Sequence, residues 1–447
     1  MSMRKSQLIC SLLALALCLL PAGCRSREAE EPVEPENVTL IIKTPPIGLG
    51  NIPDVGEAGA YDLIMAAAER FKAQYNRCDV EFVVSRYDYL DEQTQLMDKY
   101  GTPEAADLFF SGSWNLPLYV QRGWMVPLDD IISEELRSDI DESIWRQNTI
   151  DGKVYTLPFH QLQNTLMVNR EMMEAAGLEA YIPEEGAVAC WSTEEFRLIC
   201  RELAKSLTDE NTFAFMMYAA NNQGDSHIMT LLRAYGCPLY DKDGNFTVNT
   251  PEGIRALEWI REMDEQGIIP RGAENLELLD CVNLFYNRQL AICMGNLTNM
   301  WDTRNRGIDA FAANFPSLDG EGYCSATTNG FCLFDNGDEE KIRVAKDFLQ
   351  YLYTDEELMK YTLGTIPVNN SVIRQYQDEI WLLRAYGENT SHVVNSVQSN
   401  RNWQGVRDVF YIQINDLLTG QKTPGEAAEA IDAGCNAALE KGRTDAG

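Results

Sequence analysis

Apolar positions along this chain switch between an alternating and a helical period, and the order of the switches describes an α/β protein. Residues 38–43, Val-Thr-Leu-Ile-Ile-Lys, read as a buried strand. Leu63, Ile64, Ala67, Ala68, Phe71 and Tyr75 then recur at spacings of three and four, which puts them on one helix face. A strand over 79–84, a short helix over 91–100 and a strand over 107–110 follow. This β-α-β-α-β order predicts a mainly parallel sheet covered by helices. Ligands bind at the loops that follow the carboxyl ends of such strands. Here those loops are Thr44-Pro45-Pro46, Ser85-Arg86-Tyr87 and Ser111-Gly112-Ser113-Trp114.

A second α/β pattern begins near Phe159, with a strand over 164–169. Ser192-Thr193-Glu194-Glu195 is a capping box that opens a helix reaching about Ser206. Strands are predicted over 212–218 and 290–294, and helices over 226–235, 252–266 and 276–288. Helices over 339–353, 371–385, 403–418 and 425–440 complete the chain. Asp241 to Asn245 lacks the sixth-position glycine and the closing glutamate of a calcium loop, so it reads as a turn between two short strands.

The first residues follow neither period. Arg4 and Lys5 precede an uncharged run over 8–20, then Leu20-Pro21-Ala22-Gly23-Cys24. The run is shorter than the roughly 20 residues of a membrane span, and the whole has the form of an export signal. Ala22-Gly23-Cys24 resembles the bacterial lipobox, which implies a lipid on Cys24; the alternative is an ordinary secretory signal cut near Gly23. Either reading puts the protein outside the cytoplasm, and the first anchors it to the outer face of the cell membrane. Residues 25–37 are acidic and almost free of large apolar groups, as in a disordered tether.

Composition narrows the function. Of 447 residues, the 423 after Cys24 exceed the usual limit of one core, so two lobes are expected. Arg4 and Lys5 leave with the signal, so 35 basic residues face 68 acidic ones, a net of −33. That excludes nucleic acid and an anionic membrane surface as partners, since both require a basic face. Nine of the 12 cysteines follow Cys24, none in a Cys-x-x-Cys pair. They read as buried thiols, with one or two disulfides left open. His160, His227 and His392 have no metal-ligand spacing and read as isolated polar residues. No nucleophile elbow, P-loop or dinucleotide fingerprint occurs, so nothing points to an enzyme, a cofactor or a metal.

Five segments in order resemble the family 1 extracellular solute-binding proteins of ABC importers, the maltose-binding-protein-like group. They are Ala106-Asp107-Leu108-Phe109-Phe110 with the stretch 121–129; Asp151-Gly152-Lys153-Val154-Tyr155 through Pro158, with 164–170 and 176–178; Trp191 through Phe196; Phe285 through Gly295; and 341–353 with 354–357. They span nearly all of the mature chain. The resemblance implies two α/β lobes, each a mainly parallel sheet flanked by helices, with a ligand cleft and a hinge between them. The signal would end at Cys24 and the tether would cover 25–37. The N-terminal lobe would comprise 38–157 and 315–350, and the C-terminal lobe 158–314 and 351–447. Crossings are expected near 157–159, 313–315 and 349–353.

The same resemblance implies a monomer that captures a small solute, most often a mono- or oligosaccharide, and passes it to the transmembrane permease subunits of an ABC transporter. Its contact with the membrane would be the lipid anchor alone. A sugar ring offers an apolar C–H face to aromatic rings and hydroxyls to polar partners. Tyr87 and Trp114 are the aromatic candidates in first-lobe loops, Tyr218 and Trp301 in second-lobe loops, and Trp403 at the start of a late helix. Asn164, Asn296 and Asn329 are the candidates for the hydroxyls. Trp124, Trp145 and Trp259 lie in patterned segments and read as core. A non-sugar solute and a surface glycan-active enzyme are the alternatives.

Overall fold

The computed structural model describes residues 37–88, 91–112, 115–394 and 402–444. The export segment with Cys24, residues 25–36 of the expected tether, and Trp114 lie outside them.

The strand Asn37–Thr44 lies between Asp79–Arg86 and Leu108–Gly112 and runs parallel to both. Helix Ala60–Gln74 makes the first connection, burying Leu63, Ile64, Ala67 and Phe71 in one core with Leu40, Ile42 and Phe110. The helix expected over 91–100 shrinks to a π-turn, Gln93–Met97. The Lys43 ammonium takes the Gln95 carbonyl at 2.9 Å, an oxygen that a longer helix would need.

In the second half, Phe213–Phe215 runs parallel to Leu290–Gly295, and Val188–Ala189 runs parallel to Ala310–Ala313. Helices Thr193–Ser206, Pro251–Glu265 and Trp403–Leu418 cover this sheet around a second core that holds Phe196, Phe215, Trp259, Ile292 and Phe410. Each antiparallel pairing of the main sheet among the described residues involves Thr156–Asn169 or Cys324–Leu333. Strands that stay in one lobe are therefore parallel, and the chain reverses direction only where it crosses.

Thr156–Asn169 is the long crossing strand, 14 residues of which only the last six were expected. Pro158 hides its first half. It sits at a bulge where the register against Cys324–Leu333 shifts between Asn329 and Gly330. A Cβ on Gly330 would lie 2.2 Å from the Leu157 carbonyl oxygen, so the approach requires glycine.

Phe315 packs in the second core and Phe331 in the first, with the strand Cys324–Leu333 running from one toward the other; Leu352, Leu358, Met359 and Val368 also pack in the first core, and Ile366 in the second. Ile366 and Pro367 pair with Gln161 and His160. The helix expected over 371–385 is broken into Asn370–Tyr376 and Leu383–Glu388, with Leu382 left-handed at φ 63°. The break lets Trp381 meet Trp301 edge-on at 5.3 Å. All nine described cysteines are free thiols, and only Cys190 among them is exposed.

Candidate functional site

The strands of both lobes end on the same short length of ladder. Gly112, the last residue of its strand, pairs with Asn329, which pairs with His160. Gly295, the last of its own, pairs with Thr165. Between these points Ser325 to Asn329 run opposite His160 to Asn164. Carboxyl ends of parallel strands from the two halves of the sheet thus converge on about five residue pairs, the place where α/β folds bind ligands.

The ladder has two unlike faces. His160, Leu162 and Asn164 share one face with Asn329, Thr327 and Ser325. Leu162, Asn164 and Thr327 are half-exposed, so this face opens to solvent. Asn164 donates to Ser325 Oγ at 3.1 Å. His160 is fully buried beside it, its ring parallel to Phe110 at 5.9 Å, and neither ring nitrogen has a partner. Burial pushes its pKa down to about 3, so it is neutral at pH 7.

The other face is packed with amides. Gln163 Nε2 donates to Gln161 Oε1 and to the Tyr386 carbonyl, each at 3.0 Å. Its Oε1 accepts from Asn389 at 3.0 Å. Asn314 and Asn389 bond reciprocally at 2.8 and 3.0 Å. This cluster ties the crossing strand, the second-lobe sheet edge and the segment after the last crossing into one buried node.

The second lobe adds a polar floor beyond the strand Phe213–Phe215. Tyr218 lies against His227 with ring centroids 4.2 Å apart, both fully buried. Tyr218 Oη and both His227 nitrogens lack partners, as does Nε1 of the buried Trp403. Burial also holds His227 near pKa 3. Beside them Asp225 and Arg407 form an ion pair at 2.5 Å, and Arg407 also donates to the Asn222 carbonyl at 3.2 Å. The charges there compensate each other, and the unmatched groups are all neutral.

The candidates read from sequence divide accordingly. Asn164 and Asn329 lie on the open face, with Asn329 buried beside His160. Tyr218 and Trp403 lie in the floor, more deeply than stacking loop residues would. Asn296 follows Gly295 but is occupied as a helix cap, its Oδ1 accepting from the Thr298 and Asn299 amides at 3.0 and 3.2 Å. Trp301, on the helix Leu297–Asn305, packs against Trp381, with Arg304 over both rings. Tyr87 is 6% exposed in a satellite core with Phe109, Tyr119 and Phe334. It sits after the charged end of its strand, where the chain turns inward. Trp145 and Trp259 are buried as expected, whereas Trp124 is half-buried and stacks on Tyr100 at 4.2 Å. The open hydrogen-bonding groups of His160 and His227 were not expected, because a single histidine in an apolar run has no period to reveal it.

The profile of the bacterial extracellular solute-binding proteins matches residues 56–359. An arabinooligosaccharide-binding protein of Halalkalibacterium halodurans is 22% identical over 395 residues, 82% of this chain and 84% of its own. A cyclic alpha-maltosyl-1,6-maltose binding protein from Arthrobacter globiformis superposes with a TM-score of 0.73 at 20% identity, covering 91% of this chain and all of that one. An ABC substrate-binding protein of Listeria monocytogenes, in complex with cycloalternan, gives 0.71 at 16% identity, again over 91% of this chain and all of its own.

Proposed function

The chain belongs to the bacterial extracellular solute-binding proteins, and from that premise we propose that it captures an uncharged carbohydrate, an oligosaccharide, by closure of two lobes and delivers it to the permease of an ABC importer. One observation carries the carbohydrate reading. Among the buried groups with unmet hydrogen-bonding capacity at and near the convergence are the neutral His160, Gln161, Tyr218, His227 and Trp403, and the adjacent Asp225 and Arg407 are paired with each other. A hydroxyl, which both donates and accepts, answers each of these groups. The arabinooligosaccharide-binding relative and the two saccharide-binding structural neighbours support the same class.

The role is binding without turnover. Cys24 carries a lipid, and the acidic segment after it spaces the lobes from the membrane. No helix among the described residues is long and apolar enough to cross a membrane. Labelled lipid should enter the wild type and not Cys24→Ala; equal labelling of both would reject the anchor.

Thermal shift against a panel of neutral and acidic oligosaccharides tests the ligand class. A bound sugar at a hundredfold excess over Kd stabilises by about 2.7 kcal/mol. A shift with a neutral oligosaccharide is the expected result. Shifts with acidic oligosaccharides alone would overturn the reading.

A further inference from the structure

We propose that the outer side of the second lobe carries a separate saccharide-binding groove built on Trp381. The groove has a volume of about 360 Å³ and is lined by Arg170, Glu185, Asp309, Phe311, Trp381 and Leu382. That volume lies in the range of small-molecule sites. It is distinct from the convergence of strand ends. Arg170 follows the far end of the crossing strand, five residues beyond Thr165, or about 17 Å at the rise of an extended chain.

Three features fit it to a polyhydroxylated ligand. The first is a braced aromatic platform. Trp301 meets Trp381 edge-on at 5.3 Å, and the Arg304 guanidinium lies 4.8 Å from the Trp381 ring centroid. The ring is half-exposed and lines the groove, so an apolar C–H face can stack on it. The second is backbone strain. Leu382 adopts φ 63°, a left-handed conformation that is strained for a leucine, and such strain gathers where a chain clamps a ligand. The third is the polar rim. Arg170 pairs with Asp309 at 3.3 Å, and Glu185 is exposed on the opposite loop. A guanidinium donates to ring and hydroxyl oxygens, and carboxylates accept from hydroxyls. No unpaired cation lines the groove to favour an anion.

The groove is open, so it suits an internal stretch of a long glycan rather than a short free sugar. Electrophoresis of the native protein through gels containing soluble starch or arabinan tests this. Retardation of the wild type by one of these polymers is expected. Trp381→Ala should weaken it by roughly 5- to 150-fold, by analogy with the loss of other stacking aromatics. Glu185→Ala, on an exposed loop, should weaken it with an unchanged melting temperature, which guards against a folding defect in the tryptophan variant. Both variants should keep the wild-type thermal shift with short oligosaccharides. Equal retardation of wild type and both variants, or no retardation of the wild type by either polymer, would overturn the proposal. Loss of the short-oligosaccharide shift in Glu185→Ala would also overturn it, by merging the groove with the cleft. A wild type that is retarded by polymer yet shifts with no short sugar would instead count against the cleft reading alone.

Discussion

Two sets of buried polar residues differ in one respect. The amide cluster behind the ladder, Gln161-Gln163-Asn314-Asn389, is bonded almost throughout and leaves only the Gln161 Nε2 unmatched. The set made of His160, Tyr218, His227 and Trp403 has no partner at any of its polar side-chain nitrogen and oxygen atoms. Burial is comparable, since all of these residues are at most 5% exposed. A buried polar group without a partner costs free energy, and a folded chain retains it only for a reason. The matched cluster is therefore structural, holding the segment after the last crossing onto the crossing strand. On the proposed function, the unmatched set is where a ligand would supply the missing partners.

The largest effect should come from breaking the matched cluster. Asn389→Leu leaves the Asn314 amide and Gln163 Oε1 short of partners in a dry site. At roughly 1–3 kcal/mol for each abandoned group, the loss should reach about 3 kcal/mol or more. Urea denaturation would measure it. A variant as stable as the wild type would mean that the cluster is not the clamp its geometry describes.

The next effect separates the sets by pH. The folded pKa of His160 and of His227 is about 3, against an ordinary value near 6.5. Between those values the unfolded chain binds the extra protons, so acid favours unfolding. The contribution is complete above about pH 6.5, declines as pH falls, and is gone near pH 3, with a slope of about 1.4 kcal/mol per unit for each histidine. His160→Gln and His227→Gln should each remove one such share, measured as the difference from wild type at pH 7, 5.5 and 4.5. Carboxylates titrate in the same window, so the difference rather than the absolute slope decides. The amide cluster contains no titrating group, and Asn389→Leu should leave the slope unchanged.

Much of the architecture is visible in the pattern. Most expected helices and strands recur within a few residues, because a helix such as Thr193–Ser206 announces itself by both period and cap. The misses share a cause. The first half of Thr156–Asn169 contains a proline and then His160, Gln161 and Gln163, residues that look like a loop until a second crossing strand pairs with them. The break at Leu382 depends on Trp381 reaching Trp301 from 80 residues away. The site was less legible than the fold. Asn164 was expected on a strand and lies on one, whereas the strand Cys324–Leu333 that carries Asn329 was not expected. Tyr87 and Trp301 could not be placed, because whether an aromatic near a strand end turns to the core or to the cleft is decided by tertiary neighbours. Trp403 shows the same limit. Being 4% exposed in the second core, its replacement by alanine should cost about 3–5 kcal/mol of stability. It is no longer the clean test of binding that an exposed stacking residue would be.

Tyr218→Phe is the cleanest remaining test and predicts the smallest change. The substitution removes one oxygen and leaves the ring against His227 in place. If the hydroxyl had a protein partner, its loss would strand that partner and lower stability. It has none, so the empty variant should unfold within about 0.5 kcal/mol of wild type or slightly above it, because an unsatisfied buried group is gone. Binding should respond in the opposite direction. A neutral hydrogen bond to a sugar hydroxyl contributes about 0.5–1.5 kcal/mol, so affinity for whichever neutral oligosaccharide shifts the wild type should fall roughly 2- to 12-fold. Calorimetry on the same two proteins reads both quantities. A stability loss with unchanged affinity would move Tyr218 into the structural set and erase the contrast between the two clusters. Unchanged stability with weakened binding would place the ligand on the second-lobe floor.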